Sequence, residues 1–138
     1  ISDVSPLANL TSLTSLRLGR NQLSDVSALA KLIDLKHLYL YGNQIIDISP
    51  LSGLTGLTSL TLSNNQVSDL SPLENLTKPT TLLLEDNHIV DIEPLVYASE
   101  PRYWDGAFVG LIGNPLSPDS RLYHISALRA GGVTVDWD

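Results

Sequence analysis

Residues 10–29 read LTSLTSLRLGRNQLSDVSAL, and the same order of residue types returns three more times along the 138-residue chain. Asn21, Asn43, Asn65 and Asn87 recur every 22 positions, and Asp3, Asp25, Asp47, Asp69 and Asp91 keep the same period. Self-similarity at a fixed period of this size is the signature of a stacked-repeat architecture. Four full units, 10–31, 32–53, 54–75 and 76–97, fit the template Leu-x-x-Leu-x-x-Leu-x-Leu-x-x-Asn-x-(Leu/Ile/Val)-x-Asp-(Val/Ile/Leu)-x-(Pro/Ala)-Leu at 39 of 40 tested positions. The one departure is Pro79, where the other units carry Leu13, Leu35 and Leu57.

The period assigns each residue a task. In Leu16-Arg17-Leu18 and its equivalents Leu38-Tyr39-Leu40, Leu60-Thr61-Leu62 and Leu82-Leu83-Leu84, alternation turns the flanking Leu inward and the middle residue outward. These are short parallel strands. A 22-residue unit leaves room only for a tight coil that returns through loop or 3-10 turn. Stacking the coils gives one continuous Leu core shared between neighbours. An inward Asn at the bend satisfies backbone groups of adjacent coils. Each Asp precedes a Ser-Pro-Leu, Ser-Ala-Leu or Glu-Pro-Leu turn, where its side chain caps free N–H groups. A metal role for that Asp column would need oxygen ligands that the spacing does not supply.

These units resemble the 22-residue class of leucine-rich repeats, which includes bacterial internalins and the phosphatase-regulator type. The ending LIGNPLSPDSRLYHISALRAGGVTVDWD resembles the terminal segment of bacterial secreted or surface proteins of that class. The resemblance implies an α/β leucine-rich-repeat solenoid, a curved horseshoe segment with a concave parallel β-sheet and a 3-10 and loop convex side. Residues 1–138 then form one domain: a partial repeat at 1–9, four repeats over 10–97, an irregular repeat with an insertion over 98–116, and a helix-plus-strand cap over 117–138.

The ends are read the same way. Asn114 follows Asn87 by 27 residues, so a fifth strand at Val109-Gly110-Leu111 arrives after a five-residue insertion. Ser117 suits an N-cap, Pro118 the first helical position and Gly131-Gly132 the helix end. Leu122, Ile125 and Leu128 are expected on one helix face, and Val133, Val135 and Trp137 in a closing strand. Ile1–Asn9 match the last positions of a repeat, so the expectation is that further repeats or a cap precede them. The absence of Met points the same way, to a fragment or processed product.

Composition narrows the functions. The formal charge of −7 disfavours phosphate backbones and anionic membranes as partners, and the charge is uneven: +1 over residues 1–45 and −8 over 46–138. No Cys is present, which removes disulfides and thiolate chemistry. No apolar run approaches the about 18 residues of a membrane span. His37, His88 and His124 lie in different elements, and no Gly-x-Ser-x-Gly, His-Glu-x-x-His or glycine-rich phosphate loop occurs. The chain is expected to be no enzyme and to need no cofactor or metal. The Asn-x-Thr sequons at Asn9 and Asn75, three periods apart, follow from the repeat.

Two features remain as candidates for function. The outward strand positions form columns: Ser15, His37, Ser59, Thr81, Phe108; Arg17, Tyr39, Thr61, Leu83, Gly110; Gly19, Tyr41, Ser63, Glu85, Ile112; Arg20, Gly42, Asn64, Asp86, Gly113. Their chemistry runs from basic through aromatic and neutral to acidic, and Tyr and Arg are the types enriched at binding hot spots. The insertion Tyr97–Phe108 adds Tyr97, Tyr103, Trp104 and Phe108, which either bind or pack on the last coil. The candidate contact residues are therefore Arg17, Arg20, His37, Tyr39, Tyr41, Thr61, Ser63, Leu83, Glu85, Tyr103 and Trp104. Another protein is the expected partner, and the resemblance suggests an extracellular or surface setting. The alternatives are an intracellular regulatory scaffold, a carbohydrate-binding module using Tyr39, Tyr41 and Trp104, and an architectural spacer. Five strands span roughly 300 Å², against about 800 Å² per side for a standard interface. This stretch alone is expected to bind weakly.

Overall fold

A computed structural model describes residues 1–99 and 104–138. Six parallel strands stand in chain order in one open sheet: β1 (Ser15–Arg17), β2 (His37–Tyr39), β3 (Ser59–Thr61), β4 (Thr81–Leu83), β5 (Phe108–Gly110) and β6 (Thr134–Asp136). The register is the sequence period itself. Leu16 sits beside Leu38, Leu38 beside Leu60, and Leu60 beside Leu82. Val109 and Val135 then continue the same inward row. Each coil returns through a 3-10 turn, at Ser5–Leu7, Ser27–Lys31, Ser49–Leu51 and Ser71–Leu73. The Leu, Ile and Val of the template fill the space between sheet and turns, and from Leu23 onward they are almost wholly buried.

The Asn residues tie coil to coil. Asn65 Nδ2 donates to Leu40 O at 3.0 Å and Leu62 O at 2.9 Å, while its Oδ1 accepts from Ile45 N at 3.0 Å. Asn43 and Asn87 repeat this pattern one coil either side. Each shared carbonyl therefore serves two Asn side chains: Leu40 O receives Asn43 and Asn65, and Leu62 O receives Asn65 and Asn87. Leu84 O passes the ladder on to Asn114. A carbonyl has two lone pairs and an amide two N–H groups, so one continuous chain of hydrogen bonds runs along the axis.

The Asp column works as caps. Oδ1 of Asp3, Asp25, Asp47 and Asp69 accepts from the N–H of Ser5, Ser27, Ser49 and Ser71 at 2.8–2.9 Å, and Asp91 does the same for Glu93 at 2.9 Å. These backbone hydrogen bonds favour the ionised form and hold Asp3, Asp25 and Asp47 below the ordinary value of an Asp side chain. A folded value below the unfolded one means the caps contribute fully above the ordinary carboxylate range. Their contribution is lost as pH falls through the folded values. The thermal midpoint should accordingly be flat from pH 7 to about 5 and drop below about 4. Replacing Asp3, Asp25 and Asp47 together by Asn should lower the neutral-pH midpoint and shallow that acid drop. An unchanged acid profile would refute the capping role.

The C-terminal end departs from the period. Where the period predicts a further repeat turn at Glu93-Pro94-Leu95, the chain forms helix α1 (Glu93–Ser99) in place of a fifth 3-10 turn. Ser117 is the expected N-cap, its Oγ accepting from Ser120 N at 3.1 Å. The chain then makes a π-turn at Ser120–His124 before helix α2 (Ile125–Ala130). That extra residue puts Ser120 and Ile125, five apart, on the inner face. It corrects the expectation for Leu122, which is 64% exposed while Ile125 and Leu128 are buried. The helix ends in a Schellman closure, Val133 N donating to Leu128 O and Gly132 N to Arg129 O, with Gly132 at φ +90°. β6 follows as the expected closing strand, with Val133 and Val135 inward.

Candidate functional site

The sheet brings the predicted columns into line. Arg17 lies beside Tyr39, Tyr39 beside Thr61, Thr61 beside Leu83, and Leu83 beside Gly110. The Arg17 guanidinium stacks over the Tyr39 ring at 5.2 Å, and Arg20 lies 6.0 Å from the Tyr41 ring centroid. Such stacking suits the planar guanidinium and leaves its N–H fork free for a partner. Tyr41 lies flat because the neighbouring residue in its row is Gly19, where a Cβ would strike the ring. His37 and Tyr41 are exposed, and Tyr39 and Leu83 half-buried.

The acidic end is organised by glycines in the same way. Ser63 Oγ donates to Glu85 Oε2 at 2.5 Å, and the carboxylate lies where a Cβ on Gly110 would collide with it. The Asp86 carboxylate similarly occupies the space beside Gly113. Thr61, expected as a contact residue, is 7% exposed, with its Oγ1 buried and without a hydrogen-bond partner. Flanked by Tyr39 and Leu83, it forms floor and not contact surface.

The fourth column is not strand. Arg20, Asn64 and Asp86 have φ of 56°, 58° and 52°, and Gly42 and Gly113 have φ of 66° and 78°. Every coil leaves the sheet through a left-handed residue, which a non-glycine side chain occupies at a cost of roughly 1 kcal/mol. That conformation breaks the in–out alternation, so Glu85 and Asp86 both rise from the concave side.

One expectation in the insertion needs correction. Trp104 is completely buried, its Nε1 donating to Leu76 O at 3.0 Å. It is a packing residue and leaves the candidate surface. Pro79 explains where that acceptor comes from. Leu13, Leu35 and Leu57 donate their N–H to Leu10, Leu32 and Leu54 O at 3.1 Å. Proline has no N–H, so Leu76 O is left open and the indole takes it. Tyr103 lies outside the described residues. Tyr97 is 62% exposed on α1, its hydroxyl donating to Glu93 Oε1, a bond that holds the phenol above its ordinary value.

Sequence reasoning kept His124 apart from other polar groups, yet the fold gathers three. His124 Nδ1 is 3.3 Å from Ser120 Oγ and 3.4 Å from Asp91 Oδ1. A hydrolytic triad needs the nucleophile and the acid on opposite ring nitrogens. Here both crowd one nitrogen, and Ser120 is fully buried with Ile92 N donating to its hydroxyl at 3.2 Å. The cluster fastens the cap to the last repeat.

Among family descriptions, "Leucine Rich repeats (2 copies)" matches residues 33–75 and 55–97. Over its full length the chain is 41% identical to internalin C2 of Listeria monocytogenes, with a TM-score of 0.84. The chain belongs to the leucine-rich-repeat family. A second L. monocytogenes internalin, InlF, is 29% identical over 100% of this chain with a TM-score of 0.72. A leucine-rich-repeat protein of Leptospira interrogans is 26% identical over 99% of it with a TM-score of 0.84, and the chain covers 34% of that protein. This leucine-rich-repeat chain spans 57% and 46% of the two internalin structures, about half of each. No curated protein matches it. Among its described residues no helix is long and apolar enough to cross a membrane.

Proposed function

We propose that the chain is a protein-binding repeat domain of a bacterial secreted or surface protein, contacting its partner through the concave sheet. The observation that carries this reading is the pair of Arg-on-Tyr stacks, Arg17 on Tyr39 and Arg20 on Tyr41. Side chains ordered before binding lose less entropy on complex formation, and these are the residue types that dominate interface energetics. The internalin likeness supports the secreted or surface setting. The glycan reading is weaker, because burial of Trp104 removes one of the three rings on which it rested.

The test is selection of binders from a displayed peptide library on the immobilised chain. Binders to this face should be of micromolar affinity or weaker, given its footprint. They should lose at least tenfold against a Tyr39→Ala, Tyr41→Ala double variant whose circular dichroism is unchanged. Undiminished binding by that variant would count against the concave face, and a library yielding no binder would favour the architectural spacer.

A further inference from the structure

We infer that the concave face selects an extended partner segment lying across the strands, with acidic residues at one end and basic residues at the other; this rests on the concave-face reading above. In a chain of net charge −7, Arg17 and Arg20 stand together on the first coil, each stacked on a tyrosine of the second. Glu85 and Asp86 stand together on the fourth, their carboxylates lying against glycine positions of the fifth. Between the two pairs the third coil presents the small, uncharged Ser63 and Asn64 beside the buried floor of Thr61, so no charged residue of the strand columns lies between one pole and the other.

The strand pairing places these poles three coils apart, about 14 Å at the ordinary strand spacing, which an extended chain covers in about four residues. A uniformly acidic segment would meet Glu85 and Asp86, and a uniformly basic one would meet Arg17 and Arg20. Like-charge juxtaposition of that kind suppresses wrong partners. A segment with segregated charges satisfies both poles while its apolar middle covers Tyr39 and Tyr41. Chain direction is not selected, because a peptide can reverse; separation of the charges is.

Two synthetic peptides of equal composition test this, Asp-Asp-Leu-Tyr-Leu-Lys-Lys and Asp-Lys-Leu-Tyr-Leu-Asp-Lys, titrated into the labelled chain at low salt with amide shifts followed by NMR. The segregated peptide should bind about five- to tenfold more tightly, and the advantage should shrink as salt is added. It should fall by about half on a logarithmic scale in Arg17→Gln, Arg20→Gln and, separately, in Glu85→Gln, Asp86→Asn, charge-removing pairs whose amide spectra report retained folding. Equal affinities, an advantage that is undiminished in either paired variant, or no shift with either peptide overturns the inference. If both peptides bind alike around Tyr39 and Tyr41, only the charge selection fails. If the segregated peptide shifts residues away from the sheet, the concave-face reading fails with it.

Discussion

Asn65→Ala should destabilise the chain by about 2–4 kcal/mol, read as a lower urea midpoint at unchanged slope. The substitution strips the buried Ile45 N–H of its acceptor and removes one of the two donors from Leu40 O and from Leu62 O. The carbonyls keep their second Asn, so the orphaned N–H is the main cost, with the lost bonds to two carbonyls added. Asn65→Asp sharpens the test. An ionised carboxylate facing two carbonyl oxygens is disfavoured, so the folded pKa of this Asp would lie above its unfolded one. Its penalty should grow as pH rises through the unfolded value and relax in acid, opposite in sense to the native Asp caps. A cost below 1 kcal/mol for Asn65→Ala, or the same pH trend in Asn65→Asp as in the native chain, would dismiss the ladder as a stabilising element.

Trp104 gives the second large effect. Trp104→Ala should cost about 3–5 kcal/mol, since a completely buried indole is removed. Trp104→Phe keeps most of the ring and deletes the N–H, leaving Leu76 O without its donor at about 1–3 kcal/mol. In a Pro79→Leu background the restored backbone N–H can occupy that carbonyl, as in the three preceding coils. The cost of Trp104→Phe should then shrink by about 1 kcal/mol in a double-mutant cycle. Equal costs in both backgrounds would mean that proline and indole are not coupled.

Periodicity explains what was legible in the chain. Strand register, the Asn ladder and the Asp caps all lie at positions that repeat, so each was tested several times over by the sequence itself. The Ser117 cap and Gly132 closure were readable because their chemistry is local. What escaped lies where the period breaks. Helix α1 begins as Asp91-Ile92-Glu93-Pro94, which the template reads as another repeat turn. The exposure of Leu122 depends on a π-turn that buries Ser120 against Ile92, a contact 28 residues distant. Trp104 carries the same aromatic signal whether it binds or packs, and its burial follows from a carbonyl vacated at Pro79. In the concave face, composition of the columns was legible. The lean of Tyr41 over Gly19 and the burial of Thr61 depend on pairs of neighbours, which no single column reveals.

Pro79 also bears on how such an array can change length. The second and third units carry the same Asn and backbone hydrogen bonds at their junctions, so duplicating or deleting one of them preserves that ladder. The fourth coil has surrendered a backbone donor and receives its replacement from beyond the repeats. A copy of it placed elsewhere would carry an acceptor without that indole. Lengthening the array through the fourth coil would therefore cost stability that lengthening it through the second or third would not.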